Sequence, residues 1–177
     1  NAGRAPLAGS NWKRLQQIRY RLVIRSLISR LMSYLLLSGD ANRVLAGLHY
    51  DLNFMTIHGK SRFPGLFVWT REGKKMSVKI PDGCLLVQAG KQFEILMGGH
   101  VQAGFHEVVV SPATLQTIDR RKAAGESLWR VSSTLFSHIM SDNMLEPLGQ
   151  YATEEAVAAY PQVLAGKQVQ DELDLIK

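Results

Sequence analysis

The sequence predicts a mainly β protein, an antiparallel sandwich or barrel flanked by N- and C-terminal helices. Three observations predict it. Turn signals recur about every 8–12 residues through the middle of the chain, the spacing of short antiparallel strands. Leu15, Ile18 and Leu22 near the start, and Glu154–Leu164 near the end, fall in helical patterns. At 177 residues, 46% hydrophobic and 20% charged, the chain suits one globular domain with a sizeable core.

Taken in order, residues 1–10 read as a lead-in and residues from Asn11 as a helix that gives way to a strand before Leu37. Ser38-Gly39-Asp40 is a turn signal. Strands are expected at Asn53–His58 and Gly65–Thr70, and a hairpin turn at Arg71-Glu72-Gly73-Lys74 leads into Lys75–Ile80. After the turn Pro81-Asp82-Gly83 come strands at Cys84–Gln88, Gln92–Met97, His100–Gly104 and His106–Ser111. Pro112–Ser127 is polar and reads as an excursion, and Trp129–Ser137 as the closing strand. Glu154–Leu164 should be a helix broken at Pro161, and Gln168–Ile176 a short helix.

Composition excludes several classes. The single cysteine, Cys84, rules out an internal disulfide framework, and no Cys/His spacing suggests a zinc finger. Leu22–Leu37 is the most apolar stretch, but Arg25 and Arg30 interrupt it and it is shorter than the ~20 residues of a spanning helix. The net charge of +6 is uneven: residues 1–34 hold seven basic residues and no acid, residues 146–177 six acids and two lysines. The basic arm could bind nucleic acid or an anionic membrane. It lacks the aromatics and glycines of an RNA-binding sheet, so it reads as a solvated helix face, with neither partner expected.

Three patterns carry chemistry. In His49-Tyr50-Asp51, residues i and i+2 of a strand point to one face, so an imidazole and a carboxylate converge. His106, on a distant strand, could complete a two-histidine, one-carboxylate face on a metal, the arrangement of non-haem Fe(II) oxygenases. Arg130-Val131-Ser132 is another i, i+2 pair, whose guanidinium and hydroxyl could grip a carboxylate. Taken singly, each reads more readily as surface or sheet structure than as a site. His58, His100 and His138 carry no assigned chemistry, and Trp69, Phe93 and Phe136 read as core or barrel lining.

In combination the order is specific. Residues 47–148 resemble the catalytic core of the Fe(II)/2-oxoglutarate-dependent dioxygenase superfamily, in its isopenicillin N synthase-like branch. The motifs are Gly47-Leu48-His49-Tyr50-Asp51 with Asn53–Ile57, Pro64–Val68, Ile80–Gly90, Phe105–Val109, Arg130-Val131-Ser132 and Glu146-Pro147-Leu148. The resemblance implies a double-stranded β-helix, or jelly roll, over 47–148. A basic helix and lead-in strand (1–46) would precede it, and a helical tail (149–177) would follow. It implies His49, Asp51 and His106 as Fe(II) ligands, Arg130 and Ser132 on the distal carboxylate of 2-oxoglutarate, and Tyr34 as a further co-substrate contact. The implied reaction uses dioxygen and couples 2-oxoglutarate decarboxylation to oxidation of a small organic substrate, with a cytoplasmic location expected. Relative to the family, Glu107 stands where Arg is usual, Gly90-Lys91 replaces Gly-Asp, and the gap from His106 to Arg130 is long. The family's N-terminal region is missing, so the chain is expected to be the catalytic half of a longer protein.

Other readings stay open: an isopenicillin N synthase-type oxidase without 2-oxoglutarate, a non-catalytic jelly-roll binding module, and a nucleic-acid binder using the basic arm.

Overall fold

The structure is a computed structural model that describes residues 32–35 and 42–175. The expected N-terminal helix and the turn at Ser38–Asp40 lie outside the described residues. Among those residues, eleven strands alternate with short helices: β1 (Met32–Leu35), β2 (Val44–His49), β3 (Met55–His58), β4 (Leu66–Trp69), β5 (Lys75–Ser77), β6 (Leu86–Ala89), α1 (Lys91–Leu96), β7 (His106–Val109), α2 (Pro112–Ala123), β8 (Trp129–Ser132), β9 (Thr134–Ser137), β10 (Met144–Leu145), α3 (Glu154–Ala159), β11 (Val163–Leu164) and α4 (Ala165–Asp174). The fold is mainly β, and every described strand pairing is antiparallel. One sheet runs β2-β7-β4-β5, a second β6-β3-β9, and β1 pairs with β8 and β10 with β11. No described helix is long and apolar enough to cross a membrane.

Four expectations are corrected. Gln92–Met97 is not a strand: Gln92–Leu96 lie in α1 and Met97 caps its C-terminus. Its polar residues Gln92 and Glu94 are buried because each finds a partner: Gln92 Oε1 accepts from Ile139 N at 2.9 Å, and Glu94 Oε2 from Ala103 N at 2.7 Å. Gly98 and Gly99, with φ of 53° and 75°, end the turn in a conformation that favours glycine. His100–Gly104 carries no strand. Pro112–Ser127 holds α2, opened by a capping box in which Ser111 and Thr114 each bond the other's backbone N–H, with Pro112 in the first turn. Trp129–Ser137 divides at Ser133: β8 pairs with β1, while β9 joins β3 in another sheet.

Close backbone approaches fix the frame around the site. Gly65 has φ of 129°, and a Cβ there would meet Val109 O at 2.3 Å. A Cβ on Gly90 would meet Asn53 O at 2.2 Å, so only glycine lets the end of β6 close against the loop after β2.

Among the described residues, the apolar core falls into two clusters. Ile95, Leu96, Ile139, Leu145 and Ala165 form one; Phe63, Val110 and Ile118 form the other. Asp51, Asn53, Thr56, Gln88, His106 and Arg130 are also buried. Burying such groups is costly unless each is partnered, so this set of buried polar residues points to a site.

Candidate metal centre

His49 ends β2 and is paired in register with His106, the first residue of β7. Antiparallel pairing sets directly opposed side chains close together, and the two imidazole rings lie 4.2 Å apart between centroids. Asp51 lies beyond the end of β2, so the expected i, i+2 strand geometry does not apply to it. The loop after β2 instead carries the buried carboxylate inward.

Asp51 Oδ1 is 3.7 Å from His49 Nε2 and 3.9 Å from His106 Nε2. The ligand-type atoms of the three residues all lie within 4.8 Å of one another, and no other such group occurs among the described residues. The other carboxylate oxygen is taken: Thr56 Oγ1 donates to Asp51 Oδ2 at 2.5 Å and accepts from Asn53 Nδ2 at 3.0 Å. Thr56 is fully buried on β3.

Each imidazole has its Nδ1 against a carbonyl, Gly47 O for His49 at 2.6 Å and Gly104 O for His106 at 3.1 Å. A carbonyl only accepts, so the Gly47 contact puts the His49 proton on Nδ1 and leaves its Nε2 a lone pair for a metal. Gln88 Nε2 lies 2.6 Å from His106 Nδ1 and donates to Gly104 O at 2.9 Å, so Nδ1 of His106 meets both a donor and an acceptor. Burial holds the His106 pKa below its ordinary value, against the Gly104 bond and the Asp51 charge that favour the cation. A neutral ring is the form that binds metal.

Behind the pair, Tyr50 fixes the loop from outside. Its hydroxyl donates to Glu172 Oε2 on α4 at 2.9 Å, and its ring meets Phe105 edge-on at 5.0 Å. Burial, with Glu172 beside it, pushes the Tyr50 pKa up to about 12.

A cavity of about 560 Å³ opens between the sheets, and His49, Asp51, His106, Arg130 and Ser132 all line it. Arg130 is buried, and its Nη1 donates to Ser132 Oγ at 2.9 Å. The paired residues thus face the same interior as the His/Asp cluster. Tyr34 is paired in register with Arg130 on the β1–β8 ladder; its side chain lies outside the described residues.

His58, which carries no chemistry in the sequence reading, also lines the cavity. Phe136 lines it too, while Phe93 packs on Phe54 at 5.2 Å. Glu107, where the resemblance leads one to expect Arg, forms an ion pair with Lys75. The long gap from His106 to Arg130 is filled by α2. Sequence reasoning misses Thr56, Asn53, Gln88 and Glu172 as site residues. The signal for Thr56 is its alternation on a short strand that starts just after Asp51; Gln88 and Glu172 arrive from distant segments with no local signal.

A family profile for the 2OG-Fe(II) oxygenase superfamily matches residues 16–139. No curated protein matches the chain. A 2OG-Fe(II) oxygenase family protein from Caulobacter crescentus is 30% identical with a TM-score of 0.67, over 82% of this chain and 44% of that one. A full-length Neurospora crassa protein, solved in complex with alpha-KG and thymine, is 21% identical with a TM-score of 0.62, over 76% of this chain and 38% of that one. The rice dioxygenase for auxin oxidation is 17% identical with a TM-score of 0.64, over 82% of this chain and 45% of that one. The last two likenesses speak to fold alone, and the chain spans less than half the length of all three. With well over half of its residues inside the family match, the chain belongs to the 2OG-Fe(II) oxygenase superfamily.

Proposed function

We propose that this chain is the jelly-roll core of a non-haem Fe(II)-dependent oxygenase that couples 2-oxoglutarate decarboxylation to oxidation of a small organic substrate. The observation that carries the reading is the convergence of His49, Asp51 and His106 in one cavity with the buried Arg130–Ser132 pair.

The residues fit the metal. Two imidazoles turn Nε2 toward one carboxylate oxygen, whose twin is occupied by Thr56. Two histidines and one carboxylate suit Fe(II) and leave coordination positions for other ligands. His49, Asp51 and His106 would hold the ion. Bound there with a chelating 2-oxo acid, it would supply the dioxygen-dependent oxidation that side chains cannot perform.

The chain's own groups bind, orient and exclude. The Arg130 guanidinium, with the Ser132 hydroxyl beside it in the cavity wall, suits the distal carboxylate of the co-substrate, because a planar fork matches two carboxylate oxygens. Thr56 keeps Asp51 turned so that Oδ1 faces both imidazoles, and Gly47 keeps the His49 proton on Nδ1. Leu66, Val78 and Phe136 give the cavity an apolar wall for a substrate's carbon skeleton. The bound molecules of solved relatives support the class: alpha-KG and thymine in the Neurospora protein, and 2OG, Fe and JA in JOX2.

Succinate release tests the proposal. Fe(II), 2-oxoglutarate and dioxygen should yield succinate and carbon dioxide with this protein, and not with its Arg130→Ala form. No consumption of 2-oxoglutarate by a folded, iron-loaded protein would mean that Arg130 grips a substrate's own carboxylate.

A further inference from the structure

Among the described residues, His58 is the one histidine of the cavity wall outside the metal cluster. It ends β3, and its Nε2 is buried with no hydrogen-bond partner among the described residues. Burying an unpaired imidazole nitrogen is costly, and such groups normally find a partner. In the wall of a cavity, the missing partner is supplied by what the cavity binds.

Position narrows the ligand. The His58 ring meets the His106 ring edge-on, 6.1 Å between centroids, so it stands beside the metal face. In the β3–β9 ladder His58 is paired with Thr134, two residues from Ser132 of the Arg130–Ser132 pair. His58 therefore borders the space between the two ends of the proposed co-substrate. It is not in the group of ligand-type atoms that lie within 4.8 Å of one another, which holds only His49, Asp51 and His106. Thr134 Oγ1 lies 3.5 Å from His58 Nδ1, and a hydroxyl donating there leaves the ring proton on the buried Nε2.

We propose that His58 is a co-substrate-binding residue, its Nε2–H donating to a carboxylate oxygen of the 2-oxo acid held between the His/Asp cluster and Arg130. A carboxylate is the fitting partner because it only accepts, and because a donor to an anion makes the stronger class of hydrogen bond. The inference rests on the co-substrate reading given above.

The test is anaerobic calorimetry of 2-oxoglutarate on the Mn(II)-loaded protein, with Mn(II) affinity measured separately. His58→Leu should bind the acid about tenfold more weakly, the usual scale for one hydrogen bond to a charged group, with Mn(II) affinity unchanged. His58→Gln, which keeps an N–H donor, should recover most of the loss. Unchanged affinity in His58→Leu, equal loss in both variants, or loss of Mn(II) from either would each overturn the inference. Arg130→Lys measured alongside separates the two levels. A loss there but none in His58→Leu removes only the role of His58. A wild-type protein that takes up Mn(II) but no 2-oxoglutarate overturns both.

Discussion

Thr56 Oγ1 donates to Asp51 Oδ2 at 2.5 Å, which leaves Oδ1 as the carboxylate oxygen facing the Nε2 atoms of His49 and His106. Partners of this kind typically govern metal affinity by about 10–100-fold. Thr56→Val should weaken Fe(II) or Mn(II) binding by about that factor, while Thr56→Ser keeps most of it. Metal titration by calorimetry on both variants reads the difference; equal affinity in Val and wild type would mean that Asp51 needs no such support.

His49→Ala or Asp51→Ala should abolish metal uptake and turnover, because Fe(II) sits low in the affinity order of divalent metals and two remaining ligands hold it poorly. His138→Ala should leave uptake intact, since His138 is outside the three-residue cluster. Metal content after dialysis checks the set, and iron retained by the His49 variant would overturn the ligand assignment.

Arg130→Lys keeps the charge but loses the planar fork. Co-substrate affinity should fall about tenfold or more, with metal affinity unchanged. Equal affinity for 2-oxoglutarate by calorimetry would show that Arg130 holds something else.

Glu94 gives a pH prediction away from the metal. Burial would raise its pKa, but Lys91, the Ala103 N–H and the Tyr160 hydroxyl all favour the anion and hold it below its ordinary value. A lowered folded pKa stabilises the protein above the ordinary carboxylate range and loses that contribution as pH falls through the folded value. Glu94→Gln should cost about 1–2 kcal/mol at neutral pH, roughly 2–8 °C in Tm, and the gap should close in acid. Parallel melting curves across the pH range check it; a gap that widens toward low pH would contradict the sign.

Much of the site is legible in the sequence because it is written in short patterns. His49-Tyr50-Asp51 and Arg130-Val131-Ser132 each place two groups within three residues, and His106 opens a valine-rich run that reads as a strand. Their supports are not legible, because they come from long range: Gln88 reaches His106 across 18 residues, and Tyr50 meets Glu172 across 122. The strand run is legible from its turns. Helix α1 escapes a sequence reading because Gln92 and Glu94 break the apolar face of a helix, and they are tolerated only through partners at Ile139 and Ala103. Helix α2 escapes it although Ser111-Pro112-Ala113-Thr114 is a capping signal, because a polar stretch between strands resembles a loop. The place of His58 is hidden because strand position alone does not say which residues line a cavity.

The most direct measurement is the visible spectrum of the protein under anaerobic conditions as Fe(II) and then 2-oxoglutarate are added. The account predicts a weak charge-transfer band that needs both additions, disappears in His106→Ala, and requires more 2-oxoglutarate in Arg130→Lys. A folded wild-type protein that develops no such band at saturating Fe(II) and 2-oxoglutarate would contradict it.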